Sequence, residues 1–152
     1  MPDVDLLSPT PGDYQALTDL WERSVRATHT FLTEEAIRFF YPQVRDTFLP
    51  AVALTAARDR DTGLFAGFAG TADGKLEMLF LDPTRRGQGL GRRLLEHCLR
   101  TQDIHSVDVN EDNPQAVAFY RHMGFTVIGR SELDGSGKPF PLLHMRLTAT
   151  TV

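Results

Sequence analysis

From Lys75 to Gly91 the chain reads K-L-E-M-L-F-L-D-P-T-R-R-G-Q-G-L-G, and the stretch from Gly91 continues as G-R-R-L-L-E-H-C-L-R. No other part of the sequence limits the fold so tightly. Leu76 to Leu81 is apolar apart from Glu77, which predicts a strand. Asp82-Pro83 ends it, because proline brings no N–H to a ladder and restricts the residue before it. Gly87, Gly89 and Gly91 then alternate, and a helix is predicted over Leu90–Thr101. Glycine allows φ > 0 and lets a ligand meet the main chain with no Cβ in the way. Successive N–H groups in such a turn, at the head of a helix, form an anion site. Arg85, Arg86, Arg92 and Arg93 are expected to surround it with positive charge, and the simplest ligand is a phosphate or pyrophosphate.

Three phosphate loops can be compared with this stretch. A Walker A loop needs Gly-Lys-Ser/Thr, which occurs nowhere in the chain. A dinucleotide fingerprint needs G-x-G-x-x-G in a first βα unit with an acid about 20 residues on. Here the spacing is G-x-G-x-G, arginines flank it and it sits mid-chain. The third pattern, R-x-x-G-x-G, is met by Arg86, Gly89 and Gly91 after an apolar strand. It resembles the coenzyme A pyrophosphate loop of the GNAT superfamily of N-acetyltransferases. The plainer alternative is a Gly-rich turn with solvated arginines.

A chain of 152 residues suits one domain, expected over 1–152. A formal charge of −4 gives no general attraction to nucleic acid, so the basic loop is a local feature. A single cysteine, Cys98, excludes an internal disulfide, and its place among Leu94, Leu95 and Leu99 predicts a small buried residue. No leader pattern opens the chain and no apolar run approaches 18 residues, so a cytoplasmic protein that does not cross a membrane is expected.

In order, Val4–Leu7 is a strand candidate, and Thr10-Pro11-Gly12-Asp13 is a helix start with a capping box. Tyr14, Leu17, Leu20, Trp21 and Val25 give a first helix to about Ala27. Thr33 caps a second helix through Ile37, Phe40, Tyr41, Val44 and Phe48, with a kink or break expected at Pro42. Val52–Ala57 and Leu64–Thr71 are strands, with turns at Asp61-Thr62-Gly63 and Asp73-Gly74. Ser106–Asn110 is a fifth strand, with Asp108 and Asn110 on one face. Asn113-Pro114 opens a helix that ends at Gly124. Phe125–Ile128 and Leu142–Leu147 are the last strands, joined by a long loop, L-D-G-S-G-K-P-F-P.

The segment N-E-D-N-P-Q-A-V-A-F-Y-R-H-M-G-F, Asn110 to Phe125, carries a second signature. It resembles the GNAT motif that packs beside the cofactor: Asn near a helix start, then Phe-Tyr, then Gly-Phe. The two motifs and the element order cover nearly the whole chain. A-T-H-T-F-L (27–32) and the stretch 129–143 look like the small bacterial YjaB-like branch. The resemblance implies a single-domain α/β (α+β) GNAT fold, a mostly antiparallel seven-stranded sheet flanked by four helices, with strands four and five splayed. It implies acetyl-CoA as cosubstrate, an amine acceptor, and transfer by direct attack on the thioester. It places the pantetheine arm along the backbone of Leu79, Phe80 and Leu81. It places the pyrophosphate on the N–H groups of Arg86, Gly87, Gln88, Gly89, Leu90 and Gly91. Asn113 would bond the pantetheine or ribose-phosphate part, and Tyr120 would sit at the sulfur. His29 and Phe31 would border the acceptor, with Asn110 beside them, although a histidine in a helix-connecting loop is more often a hydrogen-bonded structural residue. The exposed last strands of this fold are compatible with a homodimer. A coenzyme A-binding sensor or subunit without turnover is the alternative.

A lysine-type ammonium has a pKa near 10.4, so at pH 7 about one molecule in 2,500 is free amine and deprotonation costs roughly 4.6 kcal/mol. Glu77 is the first candidate to take that proton, directly or through water, and Asp108 is the second. Glu77 could equally be an outward charge on a half-solvated face. Tyr120 is the candidate to protonate the leaving thiolate, uphill by roughly 2 kcal/mol on reference values; apart from the motif it would be a core tyrosine. His144 on the last strand is ambiguous, while His97, His105 and His122 fall on predicted surfaces. No metal site and no Ser-His-Asp grouping are expected.

Overall fold

The computed structural model describes residues 3–135 and 137–148. Ser136 of the long loop, and residues 1–2 and 149–152 of the expected 1–152 domain, lie outside the described residues. The order is β1 (Val4–Leu7), α1 (Tyr14–Thr28), α2 (Glu34–Gln43), β2 (Ala53–Asp59), β3 (Phe65–Ala72), β4 (Lys75–Leu81), α3 (Leu90–Thr101), β5 (Ser106–Asn110), α4 (Pro114–His122), β6 (Phe125–Ser131) and β7 (Leu142–Leu147). All seven strands form one sheet in the order β1-β2-β3-β4-β5-β7-β6. Among the described residues only β4 and β5 run parallel. That pair needs a crossover, and α3 supplies it.

Local chemistry accounts for the boundaries. The Asp13 carboxylate accepts from the Thr10 N–H at 2.9 Å, which fixes the entry to α1 through a 3₁₀ turn. The Thr33 hydroxyl accepts from Ala36 N–H at 3.0 Å and starts α2. Pro42 lies inside α2, which continues to Gln43 and then widens into a π turn over Val44–Phe48. The expected break is thus a change of helical form just after the proline, where the ladder has lost one donor. Asp73 and Gly74 both take positive φ, 52° and 78°, as a tight hairpin needs. β6 runs three residues past the predicted end, to Ser131, because β7 pairs with it as far as Ser131↔Leu142.

The sheet carries a core on each face. Leu76, Leu90, Leu94, Leu95, Cys98, Val107, Val109 and Met145 fill the side covered by α3 and α4. Leu17, Leu20, Trp21, Val25, Ile37, Leu49 and Phe68 fill the side covered by α1 and α2. Each fully buried Leu contributes about 2 kcal/mol of transfer free energy. Cys98 is fully buried, as its helical neighbours predict.

Two irregularities open the middle of the sheet. β4 and β5 pair only at Lys75↔Ser106 and Leu76↔Val107, and beyond that the strands splay. On its other edge β4 pairs Leu76 with Thr71 and Met78 with Gly70, so Glu77 is an extra residue. Such a bulge resets the alternation and turns the strand. Leu76, Leu79 and Leu81 then pack in one core, and Met78 and Phe80 in the other.

Candidate active site

The turn after β4 is shaped by its own residues. The Asp82 carboxylate accepts from Thr84 N–H at 3.0 Å and caps a 3₁₀ turn over Pro83–Arg85. Gly87 and Gly89 sit at φ of 76° and 79°. A Cβ at either would meet nothing within 4 Å, so the space in front of the backbone is open. Gly89 caps α3, and Gly91 already belongs to its first turn. The N–H groups of Leu90, Gly91 and Arg92 therefore have no acceptor within the helix. An open cradle, first-turn donors and the positive end of the helix dipole fit a pyrophosphate.

The arginines do not act together as expected. Arg85 turns away and is neutralised by Asp3 at 2.7 Å and Asp59 at 2.9 Å, so it ties the loop to the β1–β2 end of the sheet. The side chain of Gln88 follows it, accepting from Arg85 at 3.1 Å, and faces a small hollow behind the loop with Arg93. Arg86 and Arg92 remain on the open side. Arg86 donates to Gln115 on α4 at 2.6 Å, which joins the loop to the second motif.

A cavity of about 330 Å³ runs from this loop along β4 to α4. Leu79, Phe80, Leu81, Arg86, Gly87, Gly89, Leu90, Gly91, Asn113 and Tyr120 line it, as do Ser24, Thr28 and Phe119. The last three carry no signal in either motif except Phe119, which precedes the tyrosine. Asn113 caps α4, its side-chain oxygen accepting from Ala116 N–H at 3.2 Å, so its amide NH₂ remains for a ligand. Tyr120 is 7% exposed and packs edge-on against Phe119 and Phe125, with ring centroids 5.1 and 5.8 Å away. Its hydroxyl has no hydrogen-bond partner among the described residues. Burial, then the nearby Cys98, push the phenol pKa well above 10. Among the described residues no positive charge offsets this.

A second cleft, of about 450 Å³, lies on the α1–α2 side of the splay. Trp21, Val25, Phe40, Val44, Phe48 and Phe140 make its apolar wall, while Lys75, Glu77, Asp108, Asn110 and Asp134 supply polar groups. The bulge brings Glu77 here, with 38% of its side chain exposed and Lys75 at 3.6 Å. Phe31 stands behind the wall, its ring 5.4 Å from His29 and 5.9 Å from Phe140. Among the described residues only His29 and Phe80 line both cavities. Burial lowers the His29 pKa to about 4, so its ring is neutral at pH 7.

At the vertex of the splay the structure corrects the expectation that no Ser-His-Asp grouping exists. His144 Nδ1 lies 2.6 Å from Asp108, and its Nε2 lies 2.6 Å from the Ser131 hydroxyl. Lys75 contacts the other oxygen of Asp108. β5, β7 and β6 are neighbours in the sheet, so pairing Asp108 with His144 aligns residues that are far apart in sequence. Burial pushes the Asp108 pKa up, but Lys75 and His144 outweigh it and hold the group below its usual value. It is a weak, already engaged base. Among the described residues no cluster of His, Cys, Asp and Glu could hold a metal ion, and no helix is long and apolar enough to cross a membrane.

The model of an acetyltransferase (GNAT) domain matches residues 24–149. The peptidyl-lysine N-acetyltransferase YjaB of Salmonella typhimurium is 44% identical over 132 residues, which are 86% of this chain and 89% of that protein. The solution structure of apo YjaB from Escherichia coli superposes with a TM-score of 0.84 at 36% identity, covering 97% of this chain and 99% of that one. The PaiA N-acetyltransferase of Thermoplasma acidophilum, solved in complex with coenzyme A, shares the fold at a TM-score of 0.72 and 19% identity, over 96% of this chain and 99% of that one.

Proposed function

The chain belongs to the GNAT family of acetyltransferases and is an acetyl-CoA-dependent N-acetyltransferase, and from that premise we propose that its acceptor is the side-chain amine of a peptidyl lysine. The name of the 44% identical relative supports this acceptor class. The observation that carries the reading is the meeting of two cavities at His29 and Phe80, one with an anion cradle and one with carboxylates over an apolar wall. Glu77, Asp108 and Asp134 against Lys75 leave the acceptor cleft net negative, which draws an ammonium, and the aromatic wall fits its methylene stem. Residues 1–152 are taken to act as one catalytic domain.

Bound acetyl-CoA supplies a thioester whose acyl carbon accepts the amine. The open edge of β4 from Met78 to Leu81 offers backbone groups to the pantetheine amides, and the loop donors from Arg86 to Gly91 take the pyrophosphate. Glu77 takes one proton from the ammonium before attack and a second after the C–N bond forms. It passes both to water, which its exposure allows. Tyr120 gives its proton to the thiolate as the C–S bond breaks and regains one from solvent. One proton is released per turnover. Asp108, engaged by Lys75 and His144, holds the vertex of the splay and positions Lys75 beside Glu77.

Incubation with acetyl-CoA and a short lysine peptide, followed by thiol release and peptide mass, tests the proposal. The expected result is one acetyl group on the lysine amine and one thiol released. Acetyl-CoA at 100 times its Kd should also stabilise the fold by about 2.7 kcal/mol. A melting shift with NAD or ATP and none with acetyl-CoA would overturn the assignment of the cradle.

A further inference from the structure

His29 and Phe80 form the partition between the two cavities, and His29 has the one polar side chain on it. The protonation pattern of that ring follows from the two hydrogen bonds behind it. The Thr28 hydroxyl lies 2.9 Å from the Ser24 carbonyl, one turn back in α1. A carbonyl only accepts, so the hydroxyl proton is directed there. The same hydroxyl oxygen lies 2.7 Å from His29 Nδ1. With its one proton already used, it can only accept, so Nδ1 carries the hydrogen of this contact. In a neutral imidazole the other nitrogen, Nε2, is then a bare lone pair. It has no partner among the described residues.

The surroundings hold this arrangement. Phe31 and Phe80 flank the ring at 5.4 and 6.2 Å. Burial keeps the ring uncharged at neutral pH, so it does not repel an incoming ammonium. Two carboxylates on the cleft already have partners: Asp108 faces Lys75 and His144, and Glu77 faces Lys75. We propose that the bare Nε2 of His29 accepts one N–H of the acceptor amine at the junction of the two cavities and so aims the nitrogen lone pair at the thioester. The inference rests on the acetyl-transfer reading of the site. His29 gains and loses no proton in the cycle; Glu77 and Tyr120 carry the protons as above. Thr28 and Ser24 act behind it by setting the tautomer.

Two measurements test this. Nitrogen-15 NMR of histidine-labelled protein at pH 7 should show His29 as the Nδ1–H tautomer; an Nε2–H tautomer or an imidazolium overturns the proposal. In kinetics with a short lysine peptide, His29→Phe should lower kcat/KM for the peptide on the order of 10- to 100-fold, the worth of one hydrogen bond to a reacting group. The acetyl-CoA Kd should stay within about twofold, the expected scatter for an interaction made to the other substrate. His29→Gln, whose amide oxygen reaches the Nε2 position, should recover part of the loss. Wild-type kcat/KM in His29→Phe overturns the proposal, as does a weakened acetyl-CoA Kd with the peptide kinetics unchanged, which would place the ring on the coenzyme. If the wild-type enzyme acetylates n-butylamine but no lysine peptide, the peptidyl-lysine reading alone falls, and the same comparison on n-butylamine decides the role of His29.

Discussion

Tyr120 meets two opposed physical demands. Its ring is packed between Phe119 and Phe125, and that burial keeps the phenol protonated while making it a weaker acid. The motif Phe-Tyr names the residue, but a sequence does not show how far it is desolvated. Tyr120→Phe retains the ring and its packing, so the fold and the acetyl-CoA Kd should change little. On the proposed general-acid role, loss of the hydroxyl should lower kcat by about 10² or more. A folded variant with near-wild-type kcat would remove the hydroxyl from the mechanism. Arg85 is the opposite case: its sequence neighbours suggest a phosphate ligand, yet Asp3 and Asp59 are the groups it meets. Asp59 ends β2 and Asp3 immediately precedes β1, and an ion pair with two carboxylates outcompetes a solvated position facing the loop.

Among the elements, the turn between β4 and α3 was the most legible. Asp-Pro stops the strand, alternating glycines allow the left-handed backbone, and the helix begins at Leu90 as its periodicity predicts. Gly89→Val places a β-branched residue at φ of 79°, where the side chain would stand in the open space of the cradle. The backbone strain should cost about 1–2 kcal/mol of stability. Acetyl-CoA binding should fall below detection in calorimetry while the variant remains folded. Retained wild-type affinity would mean that the phosphates bind elsewhere. β4 itself was less legible. Leu76 to Leu81 announces a strand, but a bulge depends on the register with β3, and register is a property of the pair. The placement of Glu77 in the cleft on the α1–α2 side comes from that pairing.

For the whole molecule, burial of a titratable group inside the wedge makes stability depend on pH. His29 has a folded pKa of about 4 against an ordinary value of 6.5. Between these values the unfolded chain binds a proton that the folded chain does not. Stability is therefore complete above about pH 6.5, falls as the pH drops towards 4, and levels off below. The whole gap corresponds to about 3 kcal/mol, an upper figure because the ring partly meets solvent. Melting temperatures across pH 4–8 should fall more steeply on the acid side for the wild type than for His29→Phe. Parallel curves would mean that His29 titrates normally.

What the amino-acid sequence determined by itself is local or periodic: the helices, the strands, the caps at Thr33 and Asn113, and the left-handed glycines of the open turn before α3. These follow from backbone sterics, hydrogen-bond donors within a few residues and the spacing of apolar side chains. Only the tertiary structure decided which distant groups meet. Pairing of β5 with β7 and β6 aligns Asp108, His144 and Ser131. The splay of β4 from β5 opens the wedge, and α1 carries His29 to the partition between the cavities. Partners, burial and pKa depend on distances across the sheet, and those distances exist only once the strands have paired.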